Sequence, residues 1–240
     1  MNRFCISVCL ILLAAVSLGG CGQEEKGKAR VWVTRDGGAT MLDDGSVPAG
    51  LTALQGLDRL ARVETSYGGA FVNAIDGIAS SQLHRRDWFF FVNGYEADRG
   101  AASYRLRPGD VEWWDYRSWH GSERASVVVG AFPEPFLHGY NGKRRAAAVR
   151  CGPGLRAEGR ALALVVRARS VAALGKPVAA ATNLLVVRAG RAGMVAQLRS
   201  GARAGDPVRF VVSGRAFARS LARDPALVKH RYQAIEWSAK

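Results

Sequence analysis

The side chains able to carry chemistry are few and scattered. His84, His120, His138 and His230 stand far apart, with none of the short spacings that build a metal site. Cys151 and His138 can be drawn as a thiol dyad, yet no third residue with motif context orients them. Asp43 and Asp44 are neighbours in a polar stretch, where adjacent carboxylates need not converge. Gly139-Tyr140-Asn141-Gly142-Lys143-Arg144 has the look of a phosphate loop but not its spacing: a glycine is required where Leu137 stands, and Ser or Thr where Arg144 stands. The residues therefore predict no catalytic site, no metal and no cofactor. The expectation is a protein that is not an enzyme.

Aromatic rings are what the chain does concentrate. Trp88-Phe89-Phe90-Phe91-Val92 and Val111-Glu112-Trp113-Trp114-Asp115-Tyr116 both have strand composition. Adjacent residues of a strand face opposite ways, so Trp113 and Trp114 put a ring on each side of one sheet. Taken singly, each ring reads as core. Taken together, they need two covers, and a single helix supplies one. The other face is either covered by the second half of the chain or exposed as a stacking platform for a small ligand. The candidate ligand-binding residues are Trp88, Phe90, Asn93, Gly94, Tyr95, Tyr104, Trp113, Trp114 and Tyr116, with Asn93 and the amides of the Asn93-Gly94 turn supplying polar contacts.

The elements that must position these rings are legible in the residue pattern. Arg30–Arg35 is a strand closed by Asp36-Gly37-Gly38. Thr52 and Gln55 have capping-box spacing, and Leu54, Leu57, Leu60 and Ala61 then recur along one helix face until Tyr67-Gly68-Gly69. Phe71–Ile75 is a strand, Ala102–Leu106 alternates like one, and Pro108-Gly109 makes a turn before the last strand. In the second half, Ser126–Val129, Ala146–Val149, Leu184–Val187 and Val208–Val212 read as strands, and Leu155–Ala173 is ambiguous between helix and strand. Met194–Leu198 and Ala216–Leu221 are compatible with helices. The predicted fold class is α+β: a β-grasp-like domain, one helix on a mixed sheet, followed by a small α/β domain with a parallel sheet.

Trp88, Val92-Asn93-Gly94, Gly100-Ala101, Tyr104, Leu106, Gly109-Asp110-Val111 and Tyr116, with Leu51-Thr52-Ala53-Leu54 upstream, resemble the C-terminal domain of transcobalamin and intrinsic factor. That resemblance spans roughly residues 30 to 118. It implies a β-grasp-like sheet and, in the animal carriers, one half of a clamp around cobalamin; the helical barrel forming the other half is absent here. The Gly130 to Lys143 stretch weakly resembles the segment found after such a domain in some actinobacterial lipoproteins.

The start of the chain carries one positive charge at Arg3, an apolar run from Phe4 to Leu18, and Gly19-Gly20-Cys21. This reads as a signal peptide, too short to span a bilayer, and it resembles that of a bacterial lipoprotein. In that family Leu18 lies three residues before the cysteine and Cys21 is diacylated to become the mature N-terminus. Cys5 and Cys9 leave with the signal and Cys151 stands alone, as a small buried hydrophobe. Charge divides the rest, with residues 22 to 120 at net −2 and residues 121 to 240 at net +15. Outside the cell that excess is not for nucleic acid; it is either solvated or apposed to anionic lipid. The expected organisation is 1–20 signal peptide, 21–29 lipidated tether, 30–119 transcobalamin-like domain and 124–240 basic α/β domain. The expected partners are a small ligand, cobalamin or another corrinoid, the membrane through the lipid, and a vitamin transporter. The alternative is a non-catalytic cell-envelope module that binds protein or glycan. Replacing Cys21 by Ser is expected to move the protein from the membrane to the soluble fraction, measured by fractionation and intact mass; a variant that still sediments with membranes removes the anchor.

Overall fold

A computed structural model describes residues 27–69, 71–119, 126–232 and the backbone of 235–236. The expected signal peptide, Cys21, the tether up to Lys26 and the expected break at 120–124 lie outside the described residues.

The first sheet begins with β1 (Lys28–Arg35), whose β-branched and aromatic residues pack on both faces. After the Asp36–Ala39 turn the chain doubles back as β2 (Thr40–Pro48), antiparallel to β1. β2 is too polar to be legible as a strand, and its pairing to β1 makes it one. Helix α1 (Ala53–Asp58) opens on the predicted capping box: Thr52 N donates to Gln55 Oε1 at 2.9 Å, and Gln55 N donates to Thr52 Oγ1 at 3.1 Å. It is shorter than the spacing of Leu54 to Ala61 predicts. The amides of Leu60 and Ala61 both fold back onto Leu57 O, and a turn replaces further helix. A small antiparallel sheet comes next: β3 (Val63–Ser66), β4 (Phe71–Ile75) and β5 (Ile78–Ala79). The aromatic strand β6 (Arg86–Val92) turns through Asn93-Gly94 into β7 (Tyr95–Glu96), and β8 (Val111–Ser118) completes the first sheet. Its order is β2-β1-β8-β6-β7, with β1 and β8 parallel and the other pairs antiparallel. Residues 102–106 do not form the predicted strand. Their backbone instead pairs with the entry to α1, through Ala53 N to Tyr104 O and Leu106 N to Leu51 O.

The second half builds another sheet. After a short helix α2 (Glu134–Leu137) come β9 (Ala147–Cys151), α3 (Arg156–Val165), β10 (Ser170–Ala173) and β11 (Asn183–Arg188). The ambiguous stretch is thus helix and then strand. Then come β12 (Gly193–Gln197), β13 (Arg209–Ser213), α4 (Arg215–Arg223) and β14 (Ile235–Glu236). The order is β10-β9-β11-β13-β12-β14, in which β10, β9, β11 and β13 are parallel as expected. Two expectations are corrected. Met194–Leu198 contributes to an antiparallel strand, because a short apolar run between glycines finds the free edge of β13 before it can wind a helix. Ser126–Val129 makes one isolated bridge, Val127 to Tyr95, and then a 3₁₀ turn over Val129–Ala131. Among the described residues no helix is long and apolar enough to cross a membrane. The fold is α+β.

The two sheets share a contiguous apolar core that runs from Val31 and Leu57 through Phe136 and Tyr140 to Leu185, Phe210 and Leu221. Helix α3 lies so close to β9 that a Cβ placed on Gly159 would stand 2.0 Å from Cys151 Sγ. Gly159→Ala is therefore expected to destabilise the protein by about 1–3 kcal/mol in a denaturant titration, less the roughly 1 kcal/mol that alanine gains in helix propensity. Adding Cys151→Ala is expected to restore most of the loss. The remaining neighbours, Val149 Cγ1 at 3.5 Å and Cys151 Cβ at 3.6 Å, are in ordinary contact.

Candidate functional site

Side-chain alternation along β6 and β8 sorts the rings onto two faces. Trp88, Phe90, Trp114 and Tyr116 share one, and Phe89, Phe91 and Trp113 the other, joined by Trp32 of β1. On the first face α1 covers only one end, above Val47 and Glu112. The small sheet covers the other end, where Trp88 Nε1 donates to Ile78 O at 2.9 Å and the Tyr116 hydroxyl donates to Ala79 O at 2.9 Å. Between these covers an open cleft of about 190 Å³ remains, lined by Phe71 and Val72 of β4, the rings of Trp88, Phe90 and Trp114, and the 96–101 loop. Phe90 stacks on Trp114, with centroids 4.8 Å apart and planes 17° apart, so the floor is aromatic and each of the two rings covers a face of the other. Phe71, 41% exposed, forms a wall. Arg99, paired to Asp98 at 2.8 Å, stands with Glu96 in the polar loop.

The opposite face is closed by the second half of the chain. Val128, Ala131 and Tyr232 pack with Trp32, Phe91, Val111 and Trp113 into one cluster. Arg117 lies between two rings, 3.7 Å from the centroid of Phe89 and 4.3 Å from that of Tyr232. His230 meets Trp32 edge to face at 4.5 Å. Gly38 permits this closure, since a Cβ there would fall 1.7 Å from His230 O. Beneath the cover a buried relay runs from Trp113 Nε1 to Thr34 Oγ1 at 2.8 Å and from that hydroxyl to Asp115 Oδ1 at 2.7 Å. The Asp115 carboxylate also takes the amides of Gly37 and Gly38, and burial, the largest influence, holds its carboxyl above the ordinary range.

The sequence-derived candidates fall into three groups. Trp88, Phe90 and Trp114 line the cleft, although Trp88 is only 7% and Trp114 4% exposed. Trp113 is fully buried on the other face, and Tyr116, half-buried, packs on Trp88 at 5.2 Å. Asn93, Gly94, Tyr95 and Tyr104 are interior residues of the join between the halves. Asn93 uses its side-chain amide there: Nδ2 donates to Asp110 Oδ1 at 2.7 Å and to Gly139 O at 2.9 Å, and Oδ1 accepts from Val111 N at 2.8 Å. Tyr95 and Tyr104 both pack on Tyr140, at 5.6 and 5.3 Å. The Tyr95 hydroxyl donates to Asp206 O, and that of Tyr104 accepts from Asn141 N. Glu112 is buried too. It accepts from Trp114 Nε1 at 2.6 Å, and desolvation pushes its carboxyl well above the usual carboxylate range. Sequence reasoning missed Phe71 and the 96–101 loop as walls of the cleft. It also missed a larger cavity of about 410 Å³ beside Cys151 and Arg156, where the run Cys151-Gly152-Pro153-Gly154 after an apolar strand was the available signal. Among the described residues no cluster of three His, Cys, Asp or Glu is placed to hold a metal ion.

The family described as Domain of unknown function (DUF4430) matches residues 50–118, from just before α1 to the end of β8. Among solved structures, a candidate metal binding protein from Ruminococcus gnavus is 15% identical, with a match covering 40% of this chain and 100% of that one at a TM-score of 0.33. Haptocorrin in complex with Cbi is 17% identical, over 39% of this chain and 26% of that one, also at 0.33. This chain thus spans about a quarter of haptocorrin, and both likenesses are weak. No curated protein matches.

The cover over Trp113 carries a titratable group. Burial first, and then the neighbouring Lys229 charge, push His230 down to about 4, while Asp44 opposes and Arg30 adds to the shift. A histidine depressed below its unfolded value of about 6.5 stays neutral when folded. The unfolded chain therefore gains the proton first as pH falls, and stability drops between about pH 6.5 and 4. About 2 kcal/mol of loss is expected across that window, after discounting for partial exposure. His230→Phe is expected to keep the ring packing and to flatten this part of the stability profile, measured by denaturant midpoints at pH 7, 5.5 and 4.5.

Proposed function

We propose that the chain is a lipid-anchored, non-catalytic protein of the cell envelope that captures a small ligand and hands it to a transporter. The observation that carries this reading is the cleft over the stacked Phe90–Trp114 pair, open beside an exposed Phe71. The aromatic rings at its floor and the exposed Phe71 suit an apolar group, and the polar residues of the 96–101 loop suit polar substituents at the rim. At about 190 Å³ the cleft is smaller than the pockets of about 300–1,000 Å³ that enclose drug-sized ligands. It grips one edge of a ligand, in our reading a corrinoid, and leaves the remainder free for a partner to take. The sequence resemblance to the transcobalamin C-terminal domain supports this choice of ligand. A tether would hold such a binder near its transporter at high local concentration.

A second reading, an envelope protein-interaction module, is favoured by the burial of Trp88, Trp113 and Trp114. One titration separates the two. Cobalamin added to the purified full chain is expected to quench tryptophan fluorescence saturably at micromolar ligand, and Phe71→Ala is expected to weaken this about tenfold, the equivalent of about 1.4 kcal/mol. No saturable change up to that range leaves the interaction module standing and removes the corrinoid.

A further inference from the structure

The larger cavity lies in the other half of the chain, where the topology favours a site. Strand β9 leads through α3 to β10 on one side, while β11 lies on its other side. Open parallel sheets bind ligands outside the carboxyl ends of their strands. The cavity sits there, with Cys151 at the end of β9, Pro153 in the following loop, Arg156 in the first turn of α3, and Ala173, Leu174 and Gly175 leaving β10. Its volume of about 410 Å³ falls within the range of small-molecule pockets. The lining is small and apolar and the site is open to solvent, with Pro153, Arg156, Ala173, Gly175 and Leu174, 46% exposed, all at its surface.

Arg156 is the one charged residue in that lining. Helix α3 opens at Leu155 with no side-chain cap, and Arg156 follows directly. Glu158, in the first turn, is buried; its carboxylate takes its own backbone amide and is neutralised by Arg215 at 3.0 Å and Arg219 at 2.9 Å. A second cation stiffens the wall. Arg150, also buried, donates to the carbonyls of Val149, Lys176 and Pro177 and to Ser170 Oγ, all uncharged acceptors, and so pins the segment after Gly175. The region is thus apolar in shape and positive in charge. Inorganic phosphate does not suit it, since the lining offers no hydroxyl and no second cation. Thiol chemistry does not suit it either, because Cys151 is buried and its sulfur is turned toward Gly159.

We propose that this cavity binds a small organic carboxylate with an apolar body, the chain or ring against Ala173 and Leu174 and the carboxylate on Arg156. This site is separate from the aromatic cleft and stands whether or not that cleft takes a corrinoid. The test is calorimetric titration of the purified full chain with octanoate, octan-1-ol and inorganic phosphate. Octanoate is expected to bind saturably and phosphate not at all. Arg156→Gln is expected to weaken octanoate about tenfold, as loss of a charge-assisted hydrogen bond does, and to leave octanol unchanged. Ala173→Phe, a bulky ring in the lining, is expected to abolish octanoate binding, with Leu174→Glu at the exposed rim, whose charge repels the carboxylate, as a second block should the first variant fail to fold. Phe71→Ala is expected to have no effect on octanoate, which keeps this outcome distinct from that of the cobalamin titration. The proposal is overturned by absent octanoate binding, by equal losses of octanoate and octanol in Arg156→Gln, or by unaltered binding in a folded Ala173→Phe or Leu174→Glu variant.

Discussion

Strand β8 sets a Trp on each side of the first sheet, and both must leave water. Adjacent residues of a strand have no choice about this, since the pleat sends Trp113 one way and Trp114 the other. Burying a large side chain contributes roughly 1.5–3 kcal/mol, so the rings of β1, β6 and β8 that line the two faces together outweigh most single interactions in the molecule. On one side the cover is local, from α1 and the β3–β5 sheet. On the other it comes from 128–131 and from Tyr232, far along the chain. The joining of the halves is a consequence of that demand. Without the second half, Trp32, Phe91 and Trp113 would form an exposed apolar patch.

The polar groups caught in this closure are satisfied in ways that fix its geometry. The Thr34–Asp115 relay ties the indole of Trp113 to the turn after β1, and Asn93 ties the β6–β7 turn to Asp110 and to Gly139 of the second half. A buried amide with three partners tolerates little displacement. This is why Asn93, which looks from sequence like a group available to a ligand, serves to hold the two halves in register.

Much of this was legible from the residues. The β-branched, aromatic and apolar composition of Arg30–Arg35, Phe71–Ile75, Trp88–Val92 and Leu184–Val187, together with the Thr52–Gln55 cap, marks strands and a helix start because local chemistry and final burial agree there. β2 and β12 were not legible. Thr40–Pro48 carries Asp43, Asp44, Gly45 and Ser46 and becomes a strand only by pairing with β1, and Gly193–Gln197 only by pairing with β13. The aromatic residues around the cleft were identifiable from composition and period. Which face stayed open was not, because it depends on how short α1 is and on where residues 228–232 return. The cavity at the end of β9 depends likewise on strand order, which no local pattern encodes.

The return of His230 and Tyr232 to the first sheet also bears on the order of events during synthesis. A chain made from its amino end has the aromatic strands in place long before their second cover exists, and contacts so distant in sequence form slowly. Until residues 230–232 emerge, Trp32, Phe91 and Trp113 keep only the part of their cover that Val128 and Ala131 supply. A copy that stops before residue 230 would keep part of that patch exposed, marked for recognition by chaperones or proteases that read exposed rings.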